Sequence, residues 1–289
     1  MLRGLLLLSL LLADEPARRR AVEPQWPVVH AKRVVVVILE NTDARVAETL
    51  PFLTRLAARG AILRNDHGIG HPSQPNYLAM VSGSTHGITG SVPITLDASH
   101  LGDLVERRGL TWKIYAEQYP GNCFLGETSG TVSGGQYVRR HVPFLSFANV
   151  QHDFNRCVDH VVDSRSFDAD VVAGTLPNLS IYIPENQHNG HDSTASIADA
   201  WLEFRFGPLL DDPRLMNETL LIVTYDESAS SDNRIITVLF GSMVREGAAS
   251  FDPYDHYDLL RTIENVLGVG TLGRLDAAAR PITGIWLAK

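Results

Sequence analysis

Cysteine is scarce in this 289-residue chain: only Cys123 and Cys157 occur, and no CxxC pair, so a thiolate-built structural zinc site would have to be assembled from scattered residues. Positive charge is also short. Lys and Arg number 25 against 33 Asp and Glu, a formal charge of −8, which leaves no broad basic surface to neutralise a phosphate backbone. Nucleic acid is thereby excluded as an expected partner. No apolar run reaches the roughly 20 residues needed to cross a bilayer, so no transmembrane segment is expected. Glycine (23) and proline (15) stay near ordinary usage, which excludes collagen-like and low-complexity architectures. What is present, 44% hydrophobic and 20% charged residues, suits a globular enzyme-sized chain with one large core or two small ones.

The N-terminus carries one basic residue, Arg3, and then the apolar run Gly4 to Ala13, GLLLLSLLLA, followed by DEPARRR. A short apolar run with such flanks has the shape of a signal peptide, with residues 1–20 as signal and processing region and the protein secreted; a buried N-terminal helix is the other reading. In an oxidising compartment Cys123 and Cys157 would close a disulfide and play no part in chemistry. Asn178-Leu-Ser180 and Asn217-Glu-Thr219 are sequons that a eukaryotic secretory pathway could glycosylate.

Residues 33–39, RVVVVIL, form a β-branched run that reads as a strand buried on both faces, and Leu50 to Ala61 then repeats apolar residues at helical spacing. Further strand-like runs fall at Trp112 to Ala116, Leu179 to Ile183, Leu220 to Tyr225 and Ile235 to Phe240, between helical segments such as Ser196 to Leu202 and Tyr257 to Leu267. This alternation predicts an open α/β sheet. With no repeat and no Ser/Gly linker, one domain over 31–289 is expected, with a loop-rich insertion at about 118–178.

In such sheets ligands gather beyond the carboxyl ends of the strands. The first strand exits into Glu40-Asn41 and the strand at 220–225 into Asp226-Glu227. These are either solvated turn residues or hard oxygen ligands of a divalent cation, since adjacent carboxylates repel unless something positive lies between them. Between them in sequence lies His71-Pro-Ser-Gln-Pro-Asn-Tyr77, where Ser73 precedes a helix whose first turn suits Pro75. Ser73 is there as an N-cap or, next to a metal and a helix N-terminus, as a nucleophile. Glu185-Asn-Gln-His-Asn-Gly-His-Asp192 follows another strand. Its two histidines are open to metal ligation, proton donation or a surface position, and His191, at the strand's exit beside Asp192, is the one we single out.

Taken together, VVVVILEN (34–41), HPSQPNYLAMVSGSTHGITG (71–90), WKIYAEQYPGNC (112–123), RRHVPFLSF (139–147), IPENQHNGHDSTASIADAWL (183–202), TLLIVTYDES (219–228) and DHYDLLRTIENVLG (255–268) resemble the phosphoesterase family of secreted acid phosphatases and bacterial phospholipases C, within the alkaline phosphatase superfamily. The resemblance implies a three-layer α/β/α sandwich with a mainly parallel central sheet. It implies that Glu40, Asn41, Asp226 and Glu227 hold a divalent metal ion of unknown identity, that Ser73 is the nucleophile, and that His191 contacts the phosphoryl group. His71, Asn76 and His188 complete the candidate set as substrate-binding residues. The chain departs from the family pattern in having Asn189 where aspartate is frequent and Glu185 where asparagine is frequent. The short SASSDN after Glu227 lacks the Gly-Gly of many phospholipases C and favours the acid-phosphatase branch.

The expected activity is hydrolysis of phosphate monoesters through a phosphoserine, acting on a small phosphorylated substrate. Hydrolysis of phospholipid head groups at the same site is the alternative, and a secreted binding protein without turnover is the alternative outside enzymes.

Overall fold

The structure, a computed structural model, describes residues 29–288. The apolar run Gly4–Ala13 and its processing region therefore lie outside the described residues. Eleven strands occur among those described: β1 (Arg33–Leu39), β2 (Ala61–His67), β3 (Trp112–Ala116), β4 (Thr128–Thr131), β5 (Gly135–Val138), β6 (Val161–Asp163), β7 (Leu179–Ile183), β8 (Thr219–Tyr225), β9 (Arg234–Phe240), β10 (Ala248–Ser250) and β11 (Tyr254–Asp255). The main sheet runs in the order β10-β2-β9-β8-β1-β7-β3-β6, with β11 also pairing with β2, while β4 and β5 form a separate hairpin.

The run RVVVVIL explains the layering. Val34 to Leu39 are all buried, and the period-two alternation of a strand sends Val34, Val36 and Ile38 into one apolar cluster and Val35, Val37 and Leu39 into another. Helices Ser73–Ser82, Leu101–Arg107 and His256–Leu267 cover the first face. Helices Pro51–Arg59, Arg165–Ala173 and Ala195–Phe206 cover the second. Truncating any of these strand residues to alanine would cost about 2 to 5 kcal/mol where the cavity cannot collapse. The result is a three-layer α/β/α sandwich.

Every pairing in the main sheet is parallel except those of β9, which runs antiparallel to both β8 and β2. The link from β8 to β9, residues 226–233, is too short for the crossover that a parallel neighbour requires. β1, β2, β3, β7 and β8 consequently point their carboxyl ends to one edge.

The region 118–178 is only partly the loop-rich insertion expected. It holds the β4–β5 hairpin, but from Phe154 it supplies a helix, the edge strand β6 paired with β3, and the helix Arg165–Ala173. A three-residue strand gives too little periodicity to be read in advance. Cys123 and Cys157 are disulfide-bonded, tying the start of this region to the helix Phe154–His160 across 34 residues. Of the two sequons, Asn217 is exposed, whereas the Asn178 amide donates to Lys32 O at 2.9 Å and its oxygen accepts from Thr111 N at 3.0 Å. Among the described residues no helix is long and apolar enough to cross a membrane.

Candidate active site

β1 and β8 are parallel neighbours in register from Arg33↔Thr219 to Leu39↔Tyr225, so the residues that follow them, Glu40 and Asp226, leave the sheet side by side. Asp226 N donates to Leu39 O at 3.0 Å, and Asn41 N donates to the Asp226 carboxylate at 3.3 Å. Asn41 takes a left-handed backbone, φ 40°, which an asparagine tolerates better than most side chains. The exits are held from outside as well. The Asp43 carboxylate accepts from the hydroxyls of Ser228 and Ser230, and His256 Nε2 bonds the carbonyl of Asp226.

The third part of the site is the start of the helix Ser73–Ser82, whose residues are all buried. Pro72 takes the N-cap position and Ser73 is the first helical residue, making no side-chain cap bond. Its hydroxyl is free of capping and turns to the acids: Ser73 Oγ lies 3.0 Å from Glu40 Oε2 and 3.1 Å from Glu227 Oε1. A serine carries one proton, so it cannot donate to both carboxylates at once. At the far end Gly83 closes the helix in the left-handed region, φ 67°, where a Cβ would stand 2.3 Å from Asp276 Oδ1.

Three buried carboxyl groups thus surround one buried hydroxyl. Burial pushes Glu40 up to about 7, against the lowering influence of Tyr77, His191, Ser73 and Arg140. Asp226 is driven well above the ordinary carboxylate range by burial and then by the charges of Glu40 and Glu227. Glu227 is raised by burial, with His71 opposing. Asn41 Oδ1 and Asp226 Oδ2 are buried and accept no hydrogen bond among the described residues.

Histidines and one arginine stand around this anionic centre. His71 Nδ1 pairs with Glu227 Oε2, its ring 45% exposed. His191 Nδ1 bonds Asp192 Oδ1 at 2.6 Å, which leaves Nε2 turned toward Arg140, 3.5 Å away. Asn189 places the loop: its carbonyl accepts from Glu40 N at 2.9 Å and its side-chain oxygen accepts from His191 N at 2.8 Å. At this position an amide is sufficient to fix His191 against β1.

Two residues expected to contact substrate have partners within the protein. Asn76 is fully engaged within the preceding loop, its oxygen accepting from Ile69 N (2.7 Å) and Gly70 N (3.2 Å) and its nitrogen donating to Gly70 O (2.8 Å) and Pro72 O (3.3 Å). It shapes the loop that presents Ser73. His188 pairs through Nδ1 with Glu117 Oε2 at 2.6 Å and stacks on Trp201. Glu117, Glu185 and His188 bring one potential ligand atom each within 4.8 Å of one another. Glu185 there caps the short helix Asn186–Asn189 and accepts also from Gln136 N at 2.9 Å. Burial acts to lower His188, but Glu117 and Glu185 outweigh it and its pKa is raised.

Sequence reasoning passed over Tyr77, His141 and Arg140. Tyr77 OH bonds Glu40 Oε1, and His141, buried and stacked on Tyr77, lies with Nε2 3.3 Å from the same oxygen. Burial, then Arg140 and His191, holds His141 far below its ordinary value, so it is neutral. A tyrosine within an apolar helical run and a histidine a hundred residues from its partner leave no spacing signal. The doublet Arg139-Arg140 beside His141 was the one hint.

Comparison with known proteins fits this geometry. Residues 45–270 match the Phosphoesterase family. A probable acid phosphatase of Kluyveromyces lactis is 31% identical over 257 residues, covering 86% of this chain and 61% of that protein, so the chain spans less than two thirds of its length. A phosphatidylinositol-3-phosphatase of Mycobacterium tuberculosis is 34% identical over 259 residues, covering 87% of this chain and 82% of the relative. Among solved structures, a Vibrio parahaemolyticus protein in the alkaline phosphatase superfamily superposes with a TM-score of 0.62 at 13% identity, over 88% of this chain and 71% of that one, a likeness of fold.

Proposed function

The chain belongs to the Phosphoesterase family, and on that premise we propose that it is a secreted, metal-dependent hydrolase that cleaves phosphate monoesters through a phosphoseryl intermediate on Ser73. The observation that carries the reading is the buried Ser73 hydroxyl between Glu40 and Glu227, with Asp226 Oδ2 and Asn41 Oδ1 orphaned beside them. Three buried carboxyl groups facing one another are costly without a positive partner. Glu40, Asn41, Asp226 and Glu227 are hard oxygen donors that fit a divalent cation. When bound, such a cation supplies positive charge that lowers the serine's pKa and neutralises phosphoryl oxygens.

The chain's own groups do the rest. Ser73 Oγ attacks phosphorus as its proton passes to a carboxylate at hydrogen-bond distance, the bond to the alcohol oxygen breaks, and His191 Nε2 protonates the departing alkoxide. Asp192 accepts from Nδ1, which orients the ring with Nε2 toward the site and balances the positive charge the ring carries when Nε2 also holds a proton. Water then attacks the phosphoserine, His191 takes its proton, and Ser73 recovers its own as phosphate leaves. His71, half exposed beside Glu227, is placed to meet a phosphoryl oxygen.

The name of the Kluyveromyces relative supports a monoester substrate, and that of the mycobacterial one extends the range to a lipid-borne monoester. The Cys123–Cys157 disulfide supports an oxidising compartment. The test is turnover of 4-nitrophenyl phosphate and bis(4-nitrophenyl) phosphate with and without a chelator. Monoester hydrolysis that the chelator stops and divalent ions restore is expected. Preference for the diester would favour the phospholipase C-like reading, and turnover of neither would leave a binding protein.

A further inference from the structure

The turn Arg139–His141 sends consecutive side chains to different places. Arg139 is engaged by three carbonyls, donating to Leu125 O (2.7 Å), Leu145 O (2.9 Å) and Ile94 O (3.3 Å), and so ties the loop 91–94 to the β4–β5 hairpin. His141 is buried under Tyr77. Arg140 makes no hydrogen bond to a carboxylate or carbonyl among the described residues, its one hydrogen-bond partner there being His191 Nε2.

A cleft opens along this wall. Arg140 and Gln74, the residue after Ser73, are among its lining. Gln74 Oε1 accepts from Val92 N at 2.8 Å, which holds the loop over the helix. Val92, Pro93, Ile94 and Val138 supply its apolar lining, and Glu127, which is exposed, lines it too. The cleft thus carries the cation that reaches His191, a partly apolar lining, and an exposed anion.

We propose that this cleft is the leaving-group subsite and that it takes small, uncharged alcohols with an aryl or alkyl body, Arg140, beside His191, meeting the phosphoryl group. The proposal rests on the phosphoesterase reading above and narrows its substrate class. Apolar walls favour an apolar body by removing it from water. Glu127 and Arg139 both line the cleft and offset one another in charge, so a second negative charge on the alcohol gains no further cation and phosphate esters of polyanionic alcohols gain nothing there.

Phosphonates test this without turnover. Calorimetry on the full chain loaded with divalent cation should show phenylphosphonate binding about tenfold more tightly than methylphosphonate, with phosphonoacetate no tighter than methylphosphonate. Val92 is 55% exposed, so Val92→Ser should fold normally, and with Ile94→Ala added it should cut the phenyl advantage to about threefold or less while methylphosphonate binds as before. Equal binding of phenyl- and methylphosphonate by the parent, an advantage unchanged in the variant, or tightest binding of phosphonoacetate would each overturn the subsite while leaving the phosphoesterase reading intact. Failure of methylphosphonate to bind the parent would overturn both.

Discussion

Two acid clusters stand at the carboxyl edge of one sheet, and they differ in what their oxygens touch. In the cluster of Glu117, Glu185 and His188, Glu185 accepts from the backbone N–H groups of Gln136, Gln187 and His188, and Glu117 accepts from His188, Tyr182 and Glu185 N. In the cluster of Glu40, Asp226 and Glu227, carboxylate oxygens outnumber the donors, one serine proton serves two of them, and buried acceptors are left without partners. A count of nearby acids and histidines would select the first cluster, since it is the one whose ligand atoms gather within 4.8 Å. Satisfaction selects the second, because a self-satisfied cluster gains little from an ion and an unsatisfied one gains much. We read the first as the pin that holds the His188–His191 loop and the hairpin, and the second as the reactive centre.

The largest expected effect lies in the unsatisfied cluster. Ser73→Ala should lower kcat by on the order of 10⁴-fold or more. Ser73 caps nothing, so stability should move by no more than about 1 kcal/mol, as read by thermal unfolding. Turnover within tenfold of the parent would remove the serine from the mechanism.

On the structural side, replacing Cys123 and Cys157 together by serine should cost about 3 to 4 kcal/mol, the chain-entropy value for a 34-residue separation. Chemical denaturation measures this, and at temperatures where the variant stays folded its kcat should match the parent's. Loss of activity without loss of stability would place the cysteines in the chemistry.

A third buried acid sharpens the contrast through pH. Asp66, on β2, accepts from Thr237 Oγ1 at 2.6 Å and His67 N at 3.0 Å, yet burial pushes it up to about 7, with Asp255 and Asp258 adding to the rise. The folded state keeps a proton that the unfolded chain releases near 4, so the stability this group contributes is complete below about pH 4 and is lost as pH rises through about 7. Asp66→Asn should therefore gain in melting temperature over the parent as pH climbs from 5 to 8. A parent–variant difference independent of pH would show that Asp66 is ionised throughout.

How much was legible beforehand follows the same division. β3 and β7 coincide with their apolar runs, and β8 and β9 begin one residue earlier than theirs, because strands buried on both faces are written as continuous apolar residues. β2 was not read beyond Ala61, the last residue of the helical run, since its second half, RNDH, is polar and Gly60 is the sole boundary mark. The pairs Glu40-Asn41 and Asp226-Glu227 and Ser73 were readable as strand exits and a helix start. The protein partners of Asn76 and His188 were not legible, because a polar residue looks the same in sequence whether it faces a ligand, its own backbone or a neighbouring acid. Tyr77, Arg140 and His141 reach the site by tertiary packing alone.

The most direct test of the contrast is bound divalent metal, measured by elemental analysis after extensive desalting, in the parent, Asp226→Asn and Glu117→Gln. Glu117→Gln should unfold about 1 to 3 kcal/mol more easily because His188 loses its charged partner, yet keep the metal at parental stoichiometry. Asp226→Asn should fold and lose it. Metal retained by Asp226→Asn and lost from Glu117→Gln would contradict the account and move the ion to the other cluster.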